Sequence, residues 1–183
     1  GQDSRLYINN NLLKERNKYL KILNQKNRDG DEYLEVLDEQ MARLQVELIK
    51  KRIDFIKNLN QKVTSIYNLI AKNDNEKISL RYSCFLKQEL TYENILALYK
   101  KNHQRDIRYM QSHLGIHKDD LKIFMNGNAA DLFASQGQQR TIVLSLKIAL
   151  IELIKDEIGE YPVLLLDDVL SELDEARKNM LLD

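Results

Sequence analysis

The chain has 183 residues, with 28 Lys+Arg against 28 Asp+Glu and a formal net charge of zero. Charged residues make up 31%, aromatics 7%, and there is one Pro and one Cys. This size suits one domain, or one domain plus part of another. The charge balance excludes coating of nucleic acid by bulk electrostatics but leaves a local basic patch open, and the lone Cys84 excludes an intramolecular disulfide framework or a cysteine-based zinc site.

Leu12, Leu13, Tyr19, Leu20 and Leu23 recur at three- and four-residue steps, which predicts a helix over 4–28. Asp29-Gly30-Asp31 breaks it. Leu34, Leu37, Met41, Leu44 and Leu48 then alternate strictly at three and four, the seam of a coiled coil. The seam slips near Arg52 and resumes as Ile56, Leu59, Val63, Ile66 and Ile70. A single helix over 33–72 would be about 60 Å long, with the 4–28 helix as its expected antiparallel partner. Asn73-Asp74-Asn75 ends it. Ile78, Leu80, Tyr82 and Cys84 alternate with polar residues and predict a short strand. Thr91 caps a further helix, with Ile95, Leu98, Tyr99 and Ile107 on one face, which Gly115 ends.

After 115 the pattern becomes α/β. Residues 120–125, Asn126-Gly127-Asn128 and 131–134 read as strand, turn, strand, because Asn-Gly between apolar runs marks a hairpin. Residues 138–155 read as a helix buried on Ile142, Val143, Leu146, Ala149, Leu150 and Leu153. Pro162 to Leu166 is a continuous branched run, as in a parallel strand covered on both faces. A last helix starts at Glu172. The chain stops inside it, as expected at a boundary within a longer protein. No apolar run approaches the ~20 residues of a membrane span, and the polar N-terminus carries no signal-peptide core. The expectation is a soluble cytoplasmic chain without membrane contact.

Two constellations carry chemistry. Asp167 and Asp168 end the Pro162–Leu166 strand, where two adjacent desolvated carboxylates repel each other unless a cation sits between them. Mg²⁺ suits such a pair, and ligands collect beyond the carboxyl ends of parallel strands. Alternatively, Asp168 or Ser171 merely caps the next helix. Ser135-Gln136-Gly137-Gln138 has capping-box spacing, and Gly137 lets a backbone come close, so free N–H groups could seat a phosphate. An ordinary helix cap explains this segment equally well when it is read alone.

Together, Ser135-Gln-Gly-Gln-Gln-Arg-Thr141 and Pro162-Val-Leu-Leu-Leu-Asp-Asp-Val-Leu-Ser-Glu-Leu-Asp174 strongly resemble the RecF family of ABC/SMC-like DNA-repair ATPases. Asn24-Gln-Lys-Asn27 with the long helix resembles that family's arm, and Gly115-Ile-His-Lys-Asp-Asp120 resembles its Gly-Pro-His-Arg-Asp-Asp element, with Ile116 and Lys118 departing from it.

The resemblance implies a helix-rich α/β fold. Residues 1–114 would form a helical arm, and 115–183 part of an ABC-type ATPase head with hairpin, signature helix, Walker B strand and D-loop. Ser135, Gln136, Gly137 and Gln138 would form the signature loop that contacts ATP held by a second head. Asp167 would hold Mg²⁺, Asp168 would polarise the attacking water, and Ser171 and Asp174 would meet the partner head. The implied activity is an ATP-dependent homodimeric clamp on gapped or junction DNA, working with RecO and RecR to load RecA. None of the six glycines begins Gly-x-x-x-x-Gly-Lys-Ser/Thr, so the P-loop is expected outside this chain, and the chain alone is expected to be inactive. The rival reading is a coiled-coil interaction module with a degenerate head.

Weaker signals read structurally. His113 and His117, four apart, lack a helix to align them because Gly115 lies between. Lys50-Lys51-Arg52 and Lys100-Lys101 read as solvated helix faces. The tyrosines and Cys84 read as packing residues.

Overall fold

The computed structural model describes residues 2–155. Helices α1 (Gln2–Gln25) and α2 (Glu32–Ala71) lead into strand β1 (Ile78–Ser83) and helices α3 (Tyr92–Lys101) and α4 (His103–Tyr109). A short 3-10 turn (Ile116–Lys118) precedes β2 (Asp120–Met125), β3 (Asn128–Ala129), α5 (Ala130–Phe133) and α6 (Gln136–Lys155). The chain divides into two compact units, 1–50 with 84–119 and 51–83 with 120–183. Helix α2 contributes its first half to one and its second half to the other. The architecture is a helix-rich α/β one with a small sheet.

In the first unit, α1 runs antiparallel to the first half of α2. Asn9 meets Gln45, Arg16 meets Asp38, and Tyr19 meets Tyr33 edge-to-face at 4.6 Å. α1 ends in a Schellman closure: Arg28 N–H donates to Leu23 O at 3.0 Å and Asn27 N–H to Asn24 O at 3.2 Å. Asn27 takes the left-handed position (φ 52°), one of the few roles where Asn substitutes for Gly. α2 starts at an Asx cap, Leu34 N–H donating to Asp31 Oδ1 at 3.0 Å. Its buried face here is wider than a coiled-coil seam. Leu34, Leu37, Met41 and Leu48 are buried as the alternation predicts, but so are Asp38, Ala42, Gln45, Val46 and Ile49. That breadth belongs to a helix packed into a globular core.

Within the apolar interior of this unit lies a polar network. Arg16 is fully buried; its Nε donates to Asp38 Oδ1 at 2.7 Å and its Nη1 to Asp106 Oδ2 at 2.8 Å and Ser112 Oγ at 2.8 Å. His103 Nε2 lies 2.5 Å from the second oxygen of Asp38, and His113 Nδ1 lies 2.7 Å from that of Asp106. Burial opposes the Arg16 charge, but Asp38 and Asp106 more than offset this, and its pKa lies above the ordinary arginine value. The guanidinium sits over the Tyr99 ring, 4.9 Å from its centroid, and the Tyr99 hydroxyl exchanges hydrogen bonds with Gln45. Gly115 closes the site with φ 130°. A Cβ there would lie 2.9 Å from both Tyr99 Oη and His117 Nδ1, so both conformation and space demand glycine.

The second unit has an apolar core. Phe55, Ile56, Leu59, Val63 and Tyr67 of α2 pack with Ile78 and Leu80 of β1, Leu121 and Met125 of β2, and all six apolar positions expected of α6. β1 pairs antiparallel with β2 from Ile78↔Met125 to Ser83↔Asp120. The outer edge of β1 is covered: Asn60 Oδ1 accepts from Leu80 N–H at 2.9 Å, and Thr64 Oγ1 donates to Ile78 O at 2.7 Å. Asn126 and Gly127 both take positive φ (50° and 83°), the type I′ geometry that the Asn-Gly pair announces.

Three sequence expectations are corrected. The helix after Thr91 breaks at Asn102, whose Nδ2 donates to Leu98 O at 2.9 Å, and the following helix ends at left-handed Met110 rather than Gly115. The second hairpin strand is two residues long, and 130–133 form a helical turn instead of a strand. Arg52 is buried and donates to Tyr82 Oη at 3.3 Å, so the 50–52 run is not wholly solvated. The expected strand at 162–166 and helix from 172 lie outside the described residues.

Arg16→Ala leaves Asp38 and Asp106 buried without their shared cation and should cost about 3–5 kcal/mol, read as a lower urea midpoint.

Candidate functional site

The segment at 135–139 is placed from both sides. Before it, Ala134 N–H donates to Ala130 O at 3.0 Å, closing α5, and Ala134 then turns the chain extended. After it, α6 begins. Ser135 and Gln138 form a reciprocal capping box: Gln138 N–H donates to Ser135 Oγ at 3.1 Å, and Ser135 N–H donates to Gln138 Oε1 at 2.8 Å. Gln139 Nε2 reaches back to Ala134 O at 3.1 Å, tying the helix start to the turn before it.

Glu76 braces the box. Gln138 Nε2 donates to Glu76 Oε2 at 2.9 Å, and the same carboxylate accepts from the Tyr67 hydroxyl at 2.8 Å and from Asn73 Nδ2 at 2.5 Å. Burial, with the nearby Glu76 charge, raises the pKa of Tyr67, so it stays a neutral donor. The expected signature segment is thereby fixed to the end of α2 through one acidic side chain. Sequence reasoning missed Glu76, which sits in a polar loop with no motif to mark it.

What remains unpartnered is as informative. Ser135, Gln136 and Gly137 are exposed. The Ser135 oxygen accepts from Gln138, and its hydroxyl proton meets no acceptor among the described residues. Gln136 and Gly137 occupy the first helical turn, where N–H groups have no intrahelical acceptor. A Cβ at Gly137 would meet nothing within 4 Å. The arrangement offers one hydroxyl and two backbone donors at the positive end of a 20-residue helix, which suits an anion. Asp167, Asp168, Ser171 and Asp174 lie outside the described residues.

The other candidates go to structural tasks in the first unit. His113 contacts Asp106, and His117 Nε2 lies 3.2 Å from Ser112 O. Asp119 Oδ1 accepts from Phe85 N–H at 2.6 Å, beside Cys84, whose thiol is pushed up to about 11 chiefly by burial and by Asp119. Ile116 is buried and Lys118 is exposed. Among the described residues, no group of three or more metal-ligating side chains forms, and no helix is long and apolar enough to cross a membrane.

Comparison with known proteins extends the picture. No protein-family model matches the chain. The whole chain aligns at 43% identity with 52% of the DNA replication and repair protein RecF of Macrococcus caseolyticus, and at 41% with 51% of that of Pediococcus pentosaceus. The chain is similar to RecF proteins along its whole length. It spans about half the length of the curated relatives it matches. Among solved structures, the recombination mediator protein RecF-ATP in the RecFOR pathway superposes with a TM-score of 0.79 at 28% identity, over 85% of this chain and 42% of that one. A second structure of that mediator, RecF-ATPrS, superposes equally well over 86% of this chain and 43% of its own.

Gln138→Ala removes one half of the capping box and the Glu76 contact, and should lower stability by about 1 kcal/mol, measured by urea denaturation.

Proposed function

We propose that this chain is the arm and signature half of an ATP-gated DNA replication and repair clamp of the RecF kind. Residues 1–114 are the arm and 115–183 part of the ATPase head, with residues 51–83 of the arm packing on the head side. The observation that carries the reading is the braced 135–138 turn, which holds unpartnered donors outward on a rigid helix end. A loop serving only as a helix cap has no need of an acidic brace from another element.

Ser135 donates its hydroxyl, and Gln136 and Gly137 their N–H groups, to the γ-phosphate of ATP seated on a second copy's head. Gln138 holds the turn in shape. Asp167 is the Mg²⁺ ligand, Asp168 orients the attacking water, and Ser171 and Asp174 lie against the partner head. ATP carries several negative charges that need donors from the second copy, so nucleotide binding free energy becomes dimerisation free energy. Hydrolysis removes the bridging phosphate and opens the clamp. The partners on this reading are gapped or junction DNA, RecO and RecR, and the process served is RecA loading in the cytoplasm. The whole-chain identity to RecF proteins and the likeness to RecF-ATP structures support these assignments.

The test uses the full-length protein that carries this chain. Ser135→Arg should fill the phosphate seat and abolish ATP-dependent dimerisation in sedimentation velocity; dimerisation as in the wild type would refute the signature role. Asp168→Asn should keep ATP binding and lower turnover by about 100-fold or more, the lower range for losing a general base. Wild-type turnover would remove Asp168 from its assigned role.

A further inference from the structure

The solvated face of the β1–β2 ladder breaks a rule of sheet construction. Side chains alternate along a strand, and Ile78 and Leu80 of β1 and Leu121 and Met125 of β2 enter the core. Ser79, Arg81 and Ser83 therefore share the opposite face with Asp120, Lys122 and Phe124. The register puts Arg81 directly across from Lys122. Directly paired residues have Cβ atoms about 5 Å apart, and like charges in that position destabilise the sheet. Among the described residues, neither cation has a carboxylate within salt-bridge distance. The nearest acid on the same face, Asp120, turns its Oδ1 to the N–H of Leu121 at 2.8 Å. Arg81 stacks its guanidinium over the Phe124 ring at 4.6 Å from the centroid, which holds it flat on the sheet beside an aromatic surface. Lys77, exposed just before β1, follows the same alternation about 13 Å from Arg81.

Edge protection does not account for the pair. Basic residues often blunt a free sheet edge, but the β1 edge that carries Arg81 is already covered by Asn60 and Thr64 of α2, and an edge role for Lys122, beside which β3 does not reach, does not require a second cation directly across from it. A repulsive cross-strand pair on a solvated face is relieved by an external anion that bridges the two cations.

We infer that the Lys77–Arg81–Lys122–Phe124 face is a nucleic-acid contact surface that takes the phosphate backbone of DNA, with Arg81 and Lys122 each on a phosphate. This rests on the reading of the chain as part of a DNA repair clamp and adds the surface that touches the DNA. Charge complementarity selects the partner: cations unmatched by acids, set beside an aromatic ring, suit an extended polyanion with stacking bases.

The experiment measures fluorescence anisotropy of a fluorescein-labelled gapped duplex with the full-length protein and ATP, across roughly 50 to 200 mM KCl. The Arg81→Gln/Lys122→Gln double variant should bind about tenfold more weakly, and its slope of log affinity against log salt should flatten by about 1.8, since each lost phosphate contact removes about 0.9. ATP-dependent dimerisation should be unchanged. Lys122→Glu should raise the melting temperature, because it sets an acid opposite Arg81, while weakening DNA binding. A face with no ligand predicts the stability gain without the loss of affinity.

Wild-type affinity and salt slope in a folded double variant overturn the inference and leave the clamp reading standing, whether the face then serves an acidic protein or nothing. Should the double variant fail to fold, Lys122→Gln alone carries the test, with a slope change of about 0.9 expected and no change overturning it. A wild-type protein that dimerises with ATP but binds no DNA overturns this inference and the DNA part of the clamp reading together.

Discussion

Arg16 is fully buried and held by two carboxylates, and the first unit is organised around that fact. A buried guanidinium costs several kcal/mol to desolvate, and its attraction to nearby acids offsets this only when geometry and hydrogen bonding are good; here Nε and Nη1 are paired, while Nη2 has no partner among the described residues. Here the acids come from α2 and α4, the hydroxyl from the segment after α4, and the π-face beneath from Tyr99 on α3. Arg16 and Asp106 are separated by 90 positions. These partners come from four separate segments, and the loss of either acid would leave a buried charge less well compensated. Asp38 and Asp106 are each used twice, once by Arg16 and once by a histidine. Gly115 completes the closure because its backbone must lie against the Tyr99 hydroxyl, where no side chain fits.

The second unit solves the opposite problem. Its interior is apolar, and its polar side chains work at the margins of the sheet. Asn60 and Thr64 reach from α2 to satisfy β1, and Glu76 reaches from beyond the same helix to hold the start of α6. The 135–138 turn is therefore stiff for a local reason and positioned by a tertiary one. The capping box fixes its shape, while Glu76, anchored by Tyr67 and Asn73, fixes its position relative to the core.

This division explains what the sequence could reveal. Features set by neighbouring residues were legible: the α2 limits, the Asn126-Gly127 turn, the Thr91 cap, the Ser135–Gln138 box and the buried stripe of α6. Features set by distant residues were not. Nothing near Arg16, Asp38 or Asp106 marks them as interior, since a charged residue on a helical pattern normally belongs outside. The α2 repeat read as a coiled-coil seam because its leucines keep that period, yet Asp38 and Gln45, polar by type, widen the buried face. The 131–134 strand failed because Leu132 and Phe133 are apolar but exposed, in a helical turn that the two-residue β3 leaves no register to extend. The motifs at 167–174 lie outside the described residues.

The same contrast separates what the fold requires from what it does not. Arg16 is consumed by folding: every strong contact it makes is internal, and its removal affects stability first. The Ser135 hydroxyl proton, the Gln136 and Gly137 amides, and the Arg81–Lys122 pair stand apart, because they have no acceptor or carboxylate partner among the described residues. Exposed donors on a helix end are solvated at little cost, and a like-charge pair across a ladder is a net loss. Groups that folding does not reward persist in a structure for what they meet outside it. On the proposed reading both sets meet negative charge, one at a helix terminus and one spread along strands. A compact anion and an extended one, both taken by the same unit, are what the proposed nucleotide-gated clamp on DNA would require of its surface.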